Sequence, residues 1–437
     1  MRLAAPLLAN GRARLKSGRT RRGALCLATA ALAAAATLVL SACGGSSGPP
    51  EIKFFVQIQP GGTIEANSER CTKEADGKYT IKPELLPTNA SQAREQLVRR
   101  LGAKDSTIDV IGLDVVLTAE FANAGWIDPW EGKLKEEATE EVFPSVIETA
   151  TFEKQLYAAP FNTNTQVLWY RKDLVPKPPE TWDEMIEMAE GLEEAGKIQV
   201  QAERYEGYMV WVNALIESAG TELLSGPETV DLEQKPTEEA LAVIGRLSHS
   251  SAKSPNLPTS NEDTTRLAFE AGEAAFMTNY TFAFGSAKEN APEIAENMGA
   301  APFPRVNENE ARPPLGGFNL AVSSYSTHQQ MAFEAAACLA GKKSQETAVE
   351  LDGLPPSRSD LYEEEAVEKA YPGFAALVKE MIEAAGPRPA TPAYQDVSSA
   401  VQRTLHPPEK IPAENDEDIY NELKSNLEAA VKREGLL

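Results

Sequence analysis

Short β-prone runs and amphipathic helical stretches alternate along this chain from residue 52 onward. Ile52-Lys53-Phe54-Phe55-Val56 is apolar, with aromatic and β-branched side chains, and has strand character. After Pro60-Gly61-Gly62 the pattern predicts a helix from Thr63 through Cys71. Tyr79 to Leu86 reads as a second strand. A helix over Ser91 to Leu101 places Ala93, Leu97, Val98 and Leu101 on one face, with Gly102 as its stop. Ile108-Asp109-Val110-Ile111 has the look of a buried third strand, and Thr118 to Ala124 of a short helix. Parallel neighbours need a crossover helix, so this alternation predicts an α/β unit on a mainly parallel sheet. Ligands of such sheets sit beyond the carboxyl ends of the strands.

A second unit begins near Thr165. Gln166-Val167-Leu168-Trp169-Tyr170 reads as a strand, and Asp173 to Pro179 as a Pro-rich turn. Thr181-Trp182-Asp183-Glu184 has the form of a capping box, and its helix carries Trp182, Met185, Ile186, Ala189 and Leu192 on one face. A further helix is expected over Asn261 to Glu270, and a strand over Gly316 to Val322. Ser326-Thr327-His328-Gln329 is expected to cap a helix that bears Cys338. The C-terminal third is mostly helical and acidic, and no internal repeat stands out.

The N-terminus has a different composition. The first 42 residues hold seven basic side chains and no acid. Arg12 to Arg22 precede an uncharged, Ala-rich run from Ala24 to Leu40, which ends in Leu40-Ser41-Ala42-Cys43 and then Gly44-Gly45-Ser46-Ser47-Gly48-Pro49-Pro50. Basic, apolar, then small is the order of a secretory signal. Leu-Ser-Ala-Cys resembles a bacterial lipobox, which implies cleavage before Cys43 and acylation of that residue. The signal segment is then 1–42, the tether 43–50, and the location the outer face of the cytoplasmic membrane. An uncleaved transmembrane anchor is the alternative.

Without the leader, 395 residues carry 35 basic and 65 acidic side chains, a net charge of −30. Such a body repels phosphate backbones, which argues against a nucleic-acid partner. Several chemistries also lack their motifs. Gly44-x-Ser46-x-Gly48 matches a nucleophile elbow in letters alone, because it lies in the tether. Gly191 through Lys197 resembles a phosphate loop but continues with Ile198, where a hydroxyl should hold magnesium. His249, His328 and His406 are isolated, with none of the spacing that zinc or a hydrolytic triad needs. Nothing calls for a cofactor or a metal. Cys71 and Cys338, 267 positions apart, read either as one disulfide or as two buried thiols.

Several segments carry a family resemblance. They are Leu113-Asp114-Val115-Val116, Thr118-Ala119-Glu120-Phe121, Ala124-Gly125-Trp126, Leu156-Tyr157-Ala158-Ala159-Pro160 and Thr163-Asn164-Thr165-Gln166 with Leu168-Trp169-Tyr170-Arg171. Arg266-Leu267-Ala268-Phe269-Glu270, Gly316-Gly317 with Asn319-Leu320-Ala321-Val322, and Arg388-Pro389-Ala390-Thr391-Pro392 with Tyr394-Gln395 complete them. In these the chain resembles the extracytoplasmic solute-binding proteins of ABC sugar importers, the group that includes maltose-binding protein. Within it, the trehalose-binding lipoproteins of actinobacterial trehalose-recycling importers look closest. The resemblance implies an α/β, two-lobed periplasmic-binding-protein fold with a hinge and an interlobe ligand cleft. Lobe I would take 51–160 and 315–368, and lobe II 165–310 and 369–437. It implies too that the Gly316-Gly317 strand and the Cys338 helix return to the first lobe, where Cys71 and Cys338 meet as a disulfide. A monomer is implied, with permease subunits and the bilayer, through acylated Cys43, as partners.

A disaccharide presents hydroxyls in many directions on a partly apolar frame. Its binder needs carboxylates and amides, an Arg fork and aromatic faces. Asp114 follows an apolar strand and suits an acceptor there; as plain structure it would cap the helix of Thr118 to Ala124. Asn164, Glu262, Tyr280 and Arg388 match sugar-contacting positions of the trehalose binders, as Asp114 does. Their plain alternatives are turn chemistry, a helix-dipole acid, a core aromatic and a solvated loop arginine. Gly316 and Gly317 match a glycine pair whose backbone approaches the ligand. Tyr280 stands where those binders have Trp, and the loop Gln57-Ile58-Gln59-Pro60-Gly61-Gly62 departs from theirs, although Gln59 could reach a hydroxyl. Two other functions stay open: a binder of another oligosaccharide or modified sugar, and a secreted glycoside hydrolase using Asp114 and Glu262 as its acid pair.

Overall fold

The computed structural model describes residues 48–87 and 90–433. The signal segment, the lipidation candidate Cys43 and Gly44 to Ser47 of the tether lie outside them. No helix among the described residues is long and apolar enough to cross a membrane.

Strand β1 (Glu51–Gln57) leads into α1 (Thr63–Glu74), β2 (Thr80–Leu86), α2 (Ala90–Gly102) and β3 (Val110–Asp114). The 3₁₀ turn Val115–Leu117 and α3 (Thr118–Asn123) follow, and later β4 (Ala158–Asn164). The alternation holds here because each helix buries a narrow stripe, such as Ala93, Leu97 and Leu101 of α2. In the first sheet β1 lies between β2 and β3 and is parallel to both. The expected mainly parallel sheet is therefore only part of the answer. Strand β9 (Pro314–Val322) enters antiparallel between β3 and β4. It arrives from far along the chain rather than over a crossover helix, which frees it from the parallel constraint.

Between β4 and β9 lie β5 (Gln166–Arg171), α4 (Trp182–Gly191), β6 (Ile198–Gln199) and α5 (Glu206–Ser218). Helix α6 (Gln234–His249), α7 (Glu262–Glu270), β7 (Phe276–Tyr280) and β8 (Met298–Ala301) complete this stretch. The second sheet runs β8-β5-β7-β6, with β5 antiparallel to both its neighbours. Two apolar clusters form. One joins Ile52, Phe54, Ile64, Leu101 and Val110 to Leu320, Val322 and Leu339. The other gathers Trp169, Trp182, Trp211, Phe276 and Phe303 with Val401 and Leu423. Val146 and Leu361 also pack into this second cluster, so the chain passes between the clusters more than once.

Two capping expectations need correction. Thr181 accepts from Glu184 N at 3.1 Å, but the Glu184 carboxylate accepts from Glu180 N at 2.8 Å, so the reciprocal bond has slipped by one residue. The complete capping box is Asn261 with Thr264, where both reciprocal bonds form. Helix α8 (Gln329–Ala340) has His328 as its N-cap and no side-chain cap bond. Ser326 instead accepts from His328 N at 3.0 Å and donates to the buried Asp109, which ties the loop to the first sheet.

Cys71 of α1 and Cys338 of α8 form a disulfide. Arg70 covers it, with Nη2 3.3 Å from Cys71 Sγ and Nη1 3.5 Å from Cys338 Sγ. A cross-link between residues so far apart restricts the unfolded chain strongly. Replacing both cysteines by Ser is expected to lower the unfolding free energy by about 2–5 kcal/mol, read as a lower urea midpoint.

Candidate functional site

Asp114 is the last residue of β3, at the carboxyl end of the parallel strands. Its carboxylate accepts from Val116 N at 3.2 Å. It therefore caps the 3₁₀ turn, not α3, and the same oxygen also faces a second partner. That partner is Arg388, whose Nη2 lies 3.5 Å from Asp114 Oδ1.

Arg388 follows β10 (Gly386–Pro387), which pairs with the start of β9 through Pro314 and Leu315. Its side chain is only 6% exposed. A buried guanidinium needs charged or polar partners on its fork. Glu206, the first residue of α5, supplies one at 2.6 Å from Nη1. The hydroxyl of Tyr394, first residue of α9 (Tyr394–Leu405), lies 3.3 Å from the same nitrogen. Tyr394 also donates to Glu206 Oε1, and Ser398 donates to Oε2 at 2.7 Å. Arg388 Nε is buried with no hydrogen-bond partner among the described residues.

Glu262 opens α7, directly after the Asn261 cap. The Tyr205 hydroxyl donates to its Oε2 at 2.6 Å. Burial pushes the Glu262 carboxyl up, against the lowering effect of that bond. Tyr280 ends β7, and its phenol is pushed up first by burial and then by the negative charge of Glu262. Arg388 acts on it in the opposite sense and Asp114 in the same sense, so these four residues share one electrostatic neighbourhood. A cavity of ≈ 230 Å³ is bordered by Asp114, Arg94, Tyr205, Glu206, Tyr394 and Gln395.

Asn164 ends β4 opposite Gly316 of β9. Its Oδ1 is buried with no hydrogen-bond partner among the described residues. A Cβ on Gly316 would lie 2.2 Å from that oxygen. At Gly317, φ is +128° and a Cβ would meet the Asn162 carbonyl at 2.3 Å. The close approach that this glycine pair permits is thus to β4. Gln59 stands apart, in a turn whose Gly61 and Thr63 N–H groups bind Asp352. Among the described residues no hydrogen bond joins its side chain to the group around Arg388.

Sequence reasoning passed over Glu206, Tyr205 and Tyr394 as site residues. Tyr394 had a signal in its spacing from the boxed Arg388, whereas an acid such as Glu206 at a helix start is indistinguishable from a dipole partner. No group of three or more His, Cys, Asp or Glu among the described residues is placed to hold a metal ion.

A second carboxylate of α5 behaves differently. Glu217 packs against Gly386, where a Cβ would sit 1.6 Å from its Oε2. Asn213 donates to it at 3.1 Å, and Arg312 Nε is 3.6 Å away. Burial outweighs both and pushes this carboxyl up to about 7. A raised acid binds its proton more tightly when folded, so stability falls as pH rises from about 4.5 to about 7. Glu217→Gln is expected to remove that slope. Relative to the parent it should gain up to about 3 kcal/mol between pH 4 and pH 8, read from urea midpoints at the two values.

Comparison with known proteins gives a consistent picture. The profile of a family described as bacterial extracellular solute-binding protein matches residues 68–376. A probable ABC transporter-binding protein of Deinococcus radiodurans is 27% identical over 369 residues, 77% of this chain and 85% of that protein. A maltotriose-binding protein of Pyrococcus abyssi is 26% identical over 217 residues, 48% of this chain and 46% of that one. Maltose-bound MalE3 of T. maritima superposes with a TM-score of 0.75 at 23% identity, covering 86% of this chain and 98% of that one. The GacH receptor of Streptomyces glaucescens, solved unliganded and with acarbose, gives 0.75 at 21% identity, with coverages of 89% and 100%. At such identities the structural likeness speaks for the fold, which is the two-lobed α/β fold of periplasmic sugar-binding proteins.

Proposed function

The chain belongs to the bacterial extracellular solute-binding protein family, and from that premise we propose that it captures a disaccharide, trehalose first, for delivery to an ABC importer. The family sets its place outside the cytoplasm and its role as a binder rather than an enzyme, which retires the glycoside-hydrolase alternative. The observation that carries the sugar reading is that charges of both signs meet around Arg388. One guanidinium faces Asp114 and Glu206, while Glu262 is held toward its neutral form by burial. A charged solute would meet an opposing charge of its own sign, whereas a neutral polyol meets paired donors and acceptors.

Other facts support the same class. The Pyrococcus relative binds maltotriose, and solved neighbours hold maltose or acarbose. Tyr280, which is only partly buried, offers an aromatic face to a pyranose ring. With lobe I drawn over 51–160 and 315–368, Asp114 falls to lobe I and Glu262, Tyr280 and Arg388 to lobe II, so the pair of Asp114 with Arg388 would span the hinged cleft. Arg388 Nε and Asn164 Oδ1, both without a partner among the described residues, are the donor and acceptor a ligand would take up. Acylated Cys43 would hold the protein on the outer face of the membrane, as a monomer, beside the permease subunits.

Calorimetric titration with trehalose, maltose, sucrose and glucose tests the reading. Trehalose should give the largest affinity, and neither heat nor a thermal shift with any sugar would remove it. Asp114→Ala and Arg388→Ala are each expected to weaken sugar binding by about two orders of magnitude while the far-UV circular dichroism stays native. Parent-like affinity in both would move the site elsewhere. A longer glucan or a modified sugar is the second reading, and a higher affinity for maltotriose than for any disaccharide would select it.

A further inference from the structure

Asn279 is the penultimate residue of β7 and fully buried. A buried primary amide is costly unless its donors and acceptor are met, and here they are. Its Nδ2 donates to the Glu262 carbonyl at 3.0 Å and to Thr265 Oγ1 at 3.1 Å. Its Oδ1 accepts from Tyr280 N at 2.8 Å. One side chain thus joins the backbone of two proposed ligand residues that lie on different elements, the start of α7 and the end of β7.

The brace belongs to a larger buried network. Thr265 Oγ1 accepts from Gln201 Nε2 at 3.3 Å and donates back to the Asn261 carbonyl at 2.8 Å, where α7 begins. Gln201 also donates to the Thr278 carbonyl at 2.9 Å and accepts from Gln166 Nε2 at 2.8 Å. Gln166 is the register partner of Tyr280 across β5 and β7. The chain of contacts therefore runs from the Tyr280 backbone N–H through Asn279, Thr265 and Gln201 to the residue opposite Tyr280. Gln166, Gln201, Thr265 and Asn279 are each at most 1% exposed. The amides of Asn279 and Gln201 are fully met, while Gln166 Oε1 is buried with no partner among the described residues; satisfied buried amides rigidify what they hold.

We infer that Asn279 is a positioning residue of the binding site: it fixes Glu262 and Tyr280 relative to each other and so sets which sugar the pair accepts. This rests on the reading of Glu262 and Tyr280 as ligand contacts. Asn279→Asp keeps the acceptor for Tyr280 N and removes both donors. It is expected to weaken trehalose binding about ten-fold and to shrink the preference for trehalose over maltose. A role in folding alone would leave that preference unchanged. In the Glu262→Ala background the same change should cost less than about three-fold, because a brace that acts through Glu262 cannot act without it. Should Asn279→Asp fail to fold, Thr265→Val deletes the shared hydroxyl, keeps the side-chain shape, and should cost about three-fold with the same dependence on Glu262. Parent-like affinity and preference in a folded variant, or losses that simply add to that of Glu262→Ala, would overturn the brace. Parent-like affinity in Glu262→Ala itself would instead overturn the site reading, and the brace with it.

Discussion

A guanidinium buried to 6% exposure cannot be left to find its partners by chance, and the arrangement around Arg388 depends on that. Its fork is held by residues from separate parts of the chain: Asp114 at the end of β3, Glu206 at the start of α5, and Tyr394 at the start of α9. Pro387 and Pro389 restrict the backbone on either side. Each partner is itself engaged, Asp114 by Val116 N and Glu206 by Tyr394 and Ser398. The cation is thereby held in one orientation, which in the proposed site would lower the ordering cost of binding.

Helix α5 links that orientation to the surroundings. Its first residue grips Arg388, and near its end Glu217 presses on Gly386, two residues upstream of the same arginine. A carboxyl titrating near neutrality therefore sits against the backbone that presents the site's cation. The site also has two differently built sides. Around Arg388 it is ionic, and around Tyr280 it rests on neutral amides and a threonine hydroxyl.

Much of this was legible in the sequence, because local periodicity reports local structure. The strand of Ile52 to Val56 and the helix over Ser91 to Leu101 each announce themselves by spacing alone. Family resemblance pointed to Arg388, Tyr280 and Glu262 as candidates, and the fold places them in one neighbourhood with Asp114. Pairing between distant segments has no local signature, so the antiparallel entry of β9 was missed. Ser326 shows a related limit: its hydroxyl serves a loop and Asp109 instead of a helix end, and both uses look alike in one dimension. The glycine pair was read for its openness toward a ligand, yet the steric demand comes from Asn164 and Asn162 behind it. Glu206 was invisible because its partner lies 182 positions away.

Strand β9 also has a consequence for how such a chain is made. Ribosomes deliver residues in order, and β3 (ending at 114) and β4 (ending at 164) are both finished well before the strand that lies between them begins at 314. Until then each exposes a bare hydrogen-bonding edge to whatever is nearby, the circumstance in which strands pair with the wrong neighbour. A chain stopped at residue 164 would keep those edges permanently. The two sheets are therefore not interchangeable modules: the first is completed only after the second has been synthesised, and recombination within 165–313 would put both at risk together.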